Sequence, residues 1–514
     1  MDIIKLTELI AGNDFAKIQV AFTSAKPKFK VEQPEAIKQY KTSEHDIFDT
    51  TKRADKTIKK DTGTTNEAGE PVLATASVPV ARVGMPFQKL IVDRRVGFML
   101  SDPIQTKVED GDDSTQEKEL VKLINRIQNE NKMDYKNKEI ARRMMSEMES
   151  CEIWYFVPNE NPSIEAKFIL KVKVASPDLG DSLYPMFDAT GDMIAFARSY
   201  KVSEEGKDIE HFDIYLAESE YYWIMDASGK WVLDPLITPN PKPNQVKKIM
   251  VIYYSQLYPE WADVQTMISR LETIVSNHAD VNDYFGSPIL TVIGELAGYA
   301  QKGETGKILQ LTQGSQANYL ALATEPMSIR MEQENLEGYI YAMSQTPNIT
   351  FDQMKGLGAL SGVALKLLFM DAHMAVKNKE ETFGLGLQRR LNLLKASAGM
   401  VVNTSLAKIA EVTQLKPLLT PFLPQNITES IDNIAASINA GIMSKETALE
   451  NHPMIVDVES ELERLAKDQE EAMTAMQTQA GLEQGAGFQG GETGATNEQG
   501  GSQTPAEAGA QTGE

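Results

Sequence analysis

Apolar positions recur most regularly over residues 260–285. Val264, Leu271, His278 and Phe285 fall one heptad apart, Met267, Ile274 and Val281 fill the second heptad position, and Ile268 and Val275 stand beside them. This period predicts a helix that keeps one seam against a neighbouring helix. A buried helix within a single chain gives the same pattern, so spacing alone leaves both partners open. On that seam His278 reads as a packed histidine rather than a ligand.

Two further helices are expected within 117–149, where Leu120, Leu123, Ile124 and Ile127 keep helical spacing. A helix over about 328–344 and a long one over about 360–398 follow. In the distal half of the long helix Phe383, Leu387, Leu391 and Leu394 form an apolar stripe, and Lys377, Lys379, Arg389, Arg390 and Lys395 make it locally basic. Such a charged face is ordinarily solvated.

Residues 150–257 alternate in the strand manner. "CEIWYFV" and "AKFILKVKV" read as strands, with hairpin turns at Thr190-Gly191-Asp192 and Ser228-Gly229. "KIQVAFTSAKPKFKV" is also expected to be extended, and 51–72 to be a polar loop. Residues 90–103 form an apolar element ended by Pro103. Residues 286–327 suggest a small module of strands with one short helix. Beyond Pro417, Pro421 and Pro424, helices are expected over 427–440 and 445–452. Asp457 is a candidate cap for a last helix with a Leu462, Leu465, Gln469, Met473, Met476 seam. The tail after 480 has no lysine, arginine or aspartate and is rich in Gly, Gln and Glu, a composition expected to be disordered.

Composition narrows the function. The chain has 514 residues, enough for several domains, and a formal charge of −22. A protein that grips DNA phosphates is basic at least locally, so this acidity argues against a static clamp. It is compatible with a surface past which a polyanion slides. Cys151, the only cysteine, allows no internal disulfide and reads as a buried structural thiol. The first residues lack the basic start and apolar core of a signal peptide, and no run is long enough to span a bilayer. A soluble intracellular product is expected.

Catalytic motifs fail on inspection. "GLGALSG" at 356–362 has the wrong glycine spacing and no preceding strand for a dinucleotide fingerprint. "GETGKI" at 303–308 is too short for a phosphate loop and has Ile308 where Ser or Thr must hold magnesium. His45, His211, His278, His373 and His452 are scattered. The acidic run at 109–119 departs from the calcium-loop pattern. No catalytic, cofactor or metal residue is assigned, and no enzymatic activity or cofactor is expected.

The order of elements is more telling. "KLIVDRRVGFMLSDPI" (89–104), "FDATGDMIAFARSY" (187–200), "LSGVALKLLFMDAHMAVKNKEETFGLGLQRRLNLL" (360–394) and "IMSKETALENHPMIVDVESELERL" (442–465) run collinear with segments of one family. On these stretches the chain resembles the portal proteins of tailed double-stranded-DNA bacteriophages, in the siphophage branch. Ser101-Asp102-Pro103 departs slightly from that family's Gly-x-Pro-like turn.

The resemblance implies an α+β subunit. A mixed α/β wing would span 1–259. A two-helix stem would span 260–285 and 328–345, with a small α/β clip at 286–327 between its helices. A tunnel loop would occupy 346–360 and a long helix returning to the wing 361–426. An α-helical crown at 427–479 would precede the disordered tail at 480–514. It further implies a ring, usually a dodecamer, at one capsid vertex of a virion assembled in the host cytoplasm. Double-stranded DNA would cross that ring during packaging and ejection. Terminase, head–tail adaptor proteins and the major capsid protein would be its partners, with no membrane.

In that frame Met354, Lys355, Gly356, Leu357 and Gly358 would face DNA. The glycines free the backbone, and Lys355 offers one weak phosphate contact per subunit. Pro347 and Asn348 would end the preceding helix, and Ser361 would cap the next. Val264, Met267, Leu271, Ile274, His278 and Val281 would form the stem's oligomer seam, and Lys302 and Lys307 would belong to the clip. Two other readings are a metal-dependent nucleic-acid enzyme built from scattered acidic residues, and another self-associating virion or scaffold protein. The second leaves the glycine loop unexplained.

Overall fold

Asp14 caps a helix where the sequence suggests a strand. Its carboxylate accepts from the Lys17 backbone N–H at 3.3 Å, and Phe15, Ile18 and Phe22 then fall on one buried helical face. In this computed structural model, the residues described are 3–66, 69, 71–109, 114–160, 167–204, 206–285, 289–294, 296–298, 310–311, 314, 316–320, 326–348, 367, 369–422, 427–455 and 458–485.

The chain opens with α1 (Ile3–Ala11), α2 (Phe15–Ala25) and α3 (Gln33–Tyr40). A ribbon follows, of β1 (Lys56–Thr65) and β2 (Pro71–Val78). Then come α4 (Phe87–Met99), β3 (Gln105–Val108), α5 (Thr115–Glu130) and α6 (Met133–Glu147). The β-rich middle holds β4 (Glu149–Pro158), β5 (Phe168–Ala175), β6 (Ser182–Phe187), β7 (Met193–Glu204), β8 (Lys207–Tyr215), β9 (Ser219–Met225), β10 (Trp231–Leu233), β11 (Lys242–Pro243) and β12 (Val251–Ser255). Helix α7 (Gln265–Phe285) leads to β13 (Ile289–Ile293), β14 (Leu296–Gly298), β15 (Gln310–Leu311) and β16 (Gln316–Leu320). The chain continues through α8 (Pro326–Met343), α9 (Met370–Ser397), α10 (Ala407–Val412) and β17 (Leu415–Leu418). It ends in α11 (Ile427–Asn439), α12 (Lys445–Glu450) and α13 (Val458–Gly485).

Two compact units result, Met1–Pro424 and Gln425–Glu514. In the first, β10-β9-β8-β7-β6 form an antiparallel sheet with β11 on β9, and β12-β4-β5 form a second. Phe196, Leu183, Tyr215, Tyr253 and Cys151 share one buried cluster drawn from both sheets. Burial pushes the Cys151 thiol well above its ordinary pKa, in keeping with an inert structural role. Helices α1 and α2 cover the larger sheet, with Phe15 stacked on Trp231 at 4.3 Å and edge-on to Phe212 at 5.2 Å. The largest core joins α4, α5, α6, α7 and α9 to the smaller sheet.

Both hairpin turns fall where expected, with Gly191 at φ 91° and Gly229 at φ 77°, a region open to glycine at no steric cost. Helix α5 starts at a capping box in which Ser114 and Glu117 satisfy each other's backbone N–H groups. Two expectations fail. The polar stretch at 51–72 is not a loop, because its Thr, Ile and Val residues build the ribbon β1–β2. Residues 15–25 are helical, not extended, because the interval between buried side chains follows the helix period. Within 286–327 the described residues form two short antiparallel pairs, β13–β16 and β14–β15. In the second unit, α13 runs on to Gly485, past the expected start of the tail at 480, and Leu465 and Met473 on its seam are exposed. Asp457 and residues 486–514 lie outside the described residues. No helix among the described residues is long and apolar enough to cross a membrane.

Candidate functional site

Helix α4 places two arginines in a largely apolar turn. Ile91, Val92, Val96, Phe98 and Met99 bury its core face, and Arg95 is buried with them at 7% exposure. A buried guanidinium must be paired and hydrogen-bonded. Arg95 meets the Glu260 carboxylate at 3.1 Å, and Nη2 donates to the Ser344 carbonyl at 2.7 Å. Lys379, from α9, meets the other oxygen of Glu260 at 2.7 Å. Burial pushes Arg95 below its ordinary pKa, and the Glu260 charge opposes this.

Ser344 is the C-cap of α8. Gln345 turns left-handed at φ 50°, its N–H donates to the Ala342 carbonyl at 3.1 Å, and the Thr346 N–H reaches back to Tyr341 at 3.0 Å. This is a Schellman ending with glutamine in the position glycine usually takes. Arg94 donates to the Pro347 carbonyl and lies over the Tyr341 ring, 5.4 Å from its centroid. Two cations therefore stand at a helix C-terminus, where the backbone dipole favours them.

The chain returns on the same helix. Phe369, at the start of α9, is buried against Phe98 with ring centroids 5.6 Å apart. Phe98 is itself held by Phe422, edge-on at 5.5 Å, whose N–H donates to the Phe98 carbonyl at 2.8 Å. Residues on successive turns of α4 thus hold both flanks of the segment 349–366. Met354, Lys355, Gly356, Leu357 and Gly358 fall within that segment, and they, Ser361 and the clip residues Lys302 and Lys307 lie outside the described residues.

The seam of α7 is divided. Val264, Leu271 and Ile274 are buried within the chain, the first two sharing a core with Ile340 of α8, while Met267, His278 and Val281 are half-buried. The packing partner of the first three is thus the chain's own interior. Nδ1 of His278 is buried with no hydrogen-bond partner among the described residues. Higher on the same helix, Glu272 accepts from the Met85 N–H at 2.8 Å and meets Nδ1 of His45 at 2.6 Å, and both side chains are buried.

The basic face expected on the long helix is neither free nor wholly solvated. Arg390 is fully buried and forks onto Glu152 of β4, which also accepts from Tyr254 at 2.7 Å and from the Trp154 indole at 2.9 Å. Lys395 donates to the Thr413 carbonyl at 2.7 Å. The sequence reading missed Arg94, Arg95, Phe98 and Glu260. A signal was present, since adjacent arginines inside an apolar helix demand partners. Among the described residues, no group of three or more His, Cys, Asp or Glu side chains is arranged to hold a metal ion.

The class is an α+β subunit in which a β-rich body carries a helix pair, and the segment following that pair is braced on both flanks. The family model described as "Phage portal protein, SPP1 Gp6-like" matches residues 35–475, and the chain belongs to that family. Its role is that of a portal protein, a component of the phage head–tail connector. No curated protein matches it. Among solved structures, a chain in the neck of an empty GTA particle, computed with C6 symmetry, aligns with TM-score 0.38 and 12% identity over 70% of this chain and 86% of that one. A chain in the virion of a native gene transfer agent (GTA) particle aligns with TM-score 0.32 and 12% identity over the same shares. Both TM-scores lie below 0.5, so the family assignment rests on the family model alone.

Proposed function

We propose that copies of this chain close into a ring at one capsid vertex, through which double-stranded DNA passes during packaging and ejection. The observation that carries this reading is the family match over residues 35–475. The bracing of both flanks of 349–366 on α4 supports a role for that segment as the tunnel loop: a chain pushed on by a moving polymer needs fixed ends. Helices α7 and α8 are the stem in this reading, residues 286–327 the clip, and the helices from 427 onward the crown. The clip docks the terminase motor and later the head–tail adaptors, and the capsid protein surrounds the ring. Stem contacts between copies fall to Met267, His278 and Val281, since the other seam residues are covered within the chain. The chain acts as a conduit rather than as an enzyme.

Mass photometry of the purified protein tests the ring. Twelve copies of a 56.9 kDa chain give a particle of about 680 kDa. A population that stays monomeric at every salt concentration contradicts the proposal. Lys355→Glu tests the DNA contact: capsids with this variant are expected to hold assembled rings and package poorly. Normal filling would remove Lys355 from the path of DNA.

A further inference from the structure

The ribbon β1–β2 has an apolar face that stays exposed among the described residues. In β2, Val72, Ala74, Ala76 and Val78 alternate with Leu73, Thr75 and Ser77. The register pairs Ile58 with Ala76, Lys60 with Ala74 and Lys56 with Val78, so these side chains share one face with Val72. Thr57, Ser77, Lys59 and Thr75 share the other, with Leu73 as its one large apolar side chain at 52% exposure. Alternation of this kind marks a strand with one buried side. Yet Ile58 is 44% exposed, Val72 39% and Val78 38%. A lone two-stranded hairpin is marginal in water, so this one needs a surface to lie on.

Its root is firmly placed. Arg53 donates to Asn277 and Asp280 of α7, each at 2.9 Å, the Ala81 N–H donates to Asp280 at 2.7 Å, and the Val83 N–H donates to Ser276 at 2.9 Å. The ribbon is thus fixed to the lower half of α7 and bare along its length.

We propose that the Ile58–Val78 face of the ribbon docks on a second copy of this chain, as an arm laid across the neighbouring subunit. The inference rests on the ring reading above. Charge favours this partner: Lys60 stands on the face among the apolar side chains, Lys56 at its root already meets Asp280 at 3.5 Å, and a second copy carries a net charge of −22. DNA would be gripped by a basic polar face, whereas this one is apolar between its lysines. A ribbon on one copy meeting a different surface on the next is a heterologous contact, the kind that generates rings.

The test uses the full-length protein with a double-stranded DNA fragment present. Ile58→Glu/Val78→Glu charges the apolar face, and Thr57→Glu/Ser77→Glu charges the opposite face of the same strands. Mass photometry is expected to show the first variant needing about tenfold or more protein for half-assembly, with the second assembling like the wild type. Ala74→Cys carrying a photo-crosslinking maleimide adds a direct readout, because Cys151 is buried and escapes labelling. Adducts are expected at two or more times 56.9 kDa. Equal assembly of both variants, adducts confined to one chain, or adducts to DNA alone would overturn the arm while leaving the ring intact. A wild type that never assembles would overturn both.

Discussion

Two parts of this molecule carry similar apolar patterning and end differently. At the centre, Arg390 of α9, Glu152 of β4 and Tyr254 of β12 form a polar knot with Arg390 1% and Glu152 0% exposed. At the edge, the ribbon β1–β2 presents Ile58 and Val78 to solvent. The centre is paired within one chain: Arg390 meets Glu152, Tyr254 donates to Glu152, and the Tyr254 ring packs on Phe383. The ribbon is complete only in its backbone pairing. The contrast separates residues that make the subunit fold from residues whose partners lie elsewhere.

The largest expected effect lies in the centre. Glu152→Ala leaves the Arg390 guanidinium buried and unpaired, and a cost of about 3–5 kcal/mol is expected in denaturant unfolding of the first unit. A cost below that of an ordinary surface substitution would show that water reaches the knot. Next comes Gly386→Ala on α9. The added Cβ would overlap the Tyr254 ring, and overpacking of this kind costs about 1–3 kcal/mol. A neutral result would mean that Tyr254 has room to move, against its complete burial.

A smaller, pH-dependent effect belongs to His45. Burial pushes its pKa down, but the hydrogen bond and charge of Glu272, with Asp46 beyond, outweigh this and hold it above the ordinary 6.5. The folded state therefore binds the proton more tightly than the unfolded chain. The stabilisation is full below pH 6.5 and is lost as pH rises through the raised folded value. Thermal melts between pH 6 and 8 should show stability falling with pH, and His45→Phe should flatten the slope. The smallest effect is expected from Ile58→Ser, within about 0.5 kcal/mol for the unassembled chain, since the side chain is already solvated. A loss of several times that amount would mean the ribbon is covered within its own chain, and the contrast drawn above would fail.

Much of the fold is legible because local periodicity and tertiary burial agree. Leu120, Ile124 and Ile127 read as a helix and are buried as one, and Gly191 and Gly229 sit at turns that require them. The failures have physical causes. Residues 15–25 alternate over a few positions like a strand, but Phe15, Ile18 and Phe22 bury on a helical period that a short window blurs. The ribbon was hidden by its lysines and by its threonines, and a polarity count ignores the β-propensity of the threonines. Of the candidate site, the stem seam was visible but its partner was not: the heptad pattern of α7 is equally served by the chain's own interior, where Val264 and Leu271 lie. At Arg94, Arg95 and Phe98 the need for partners was legible but the partners themselves were not. Their partners Ser344, Pro347 and Phe369 are some 250 residues or more away in sequence, and no local window links them.

That bracing has a consequence for redesign. With the residues on either side held by the same helix, a change of length between 349 and 366 would leave the contacts of Arg94, Arg95 and Phe98 in place.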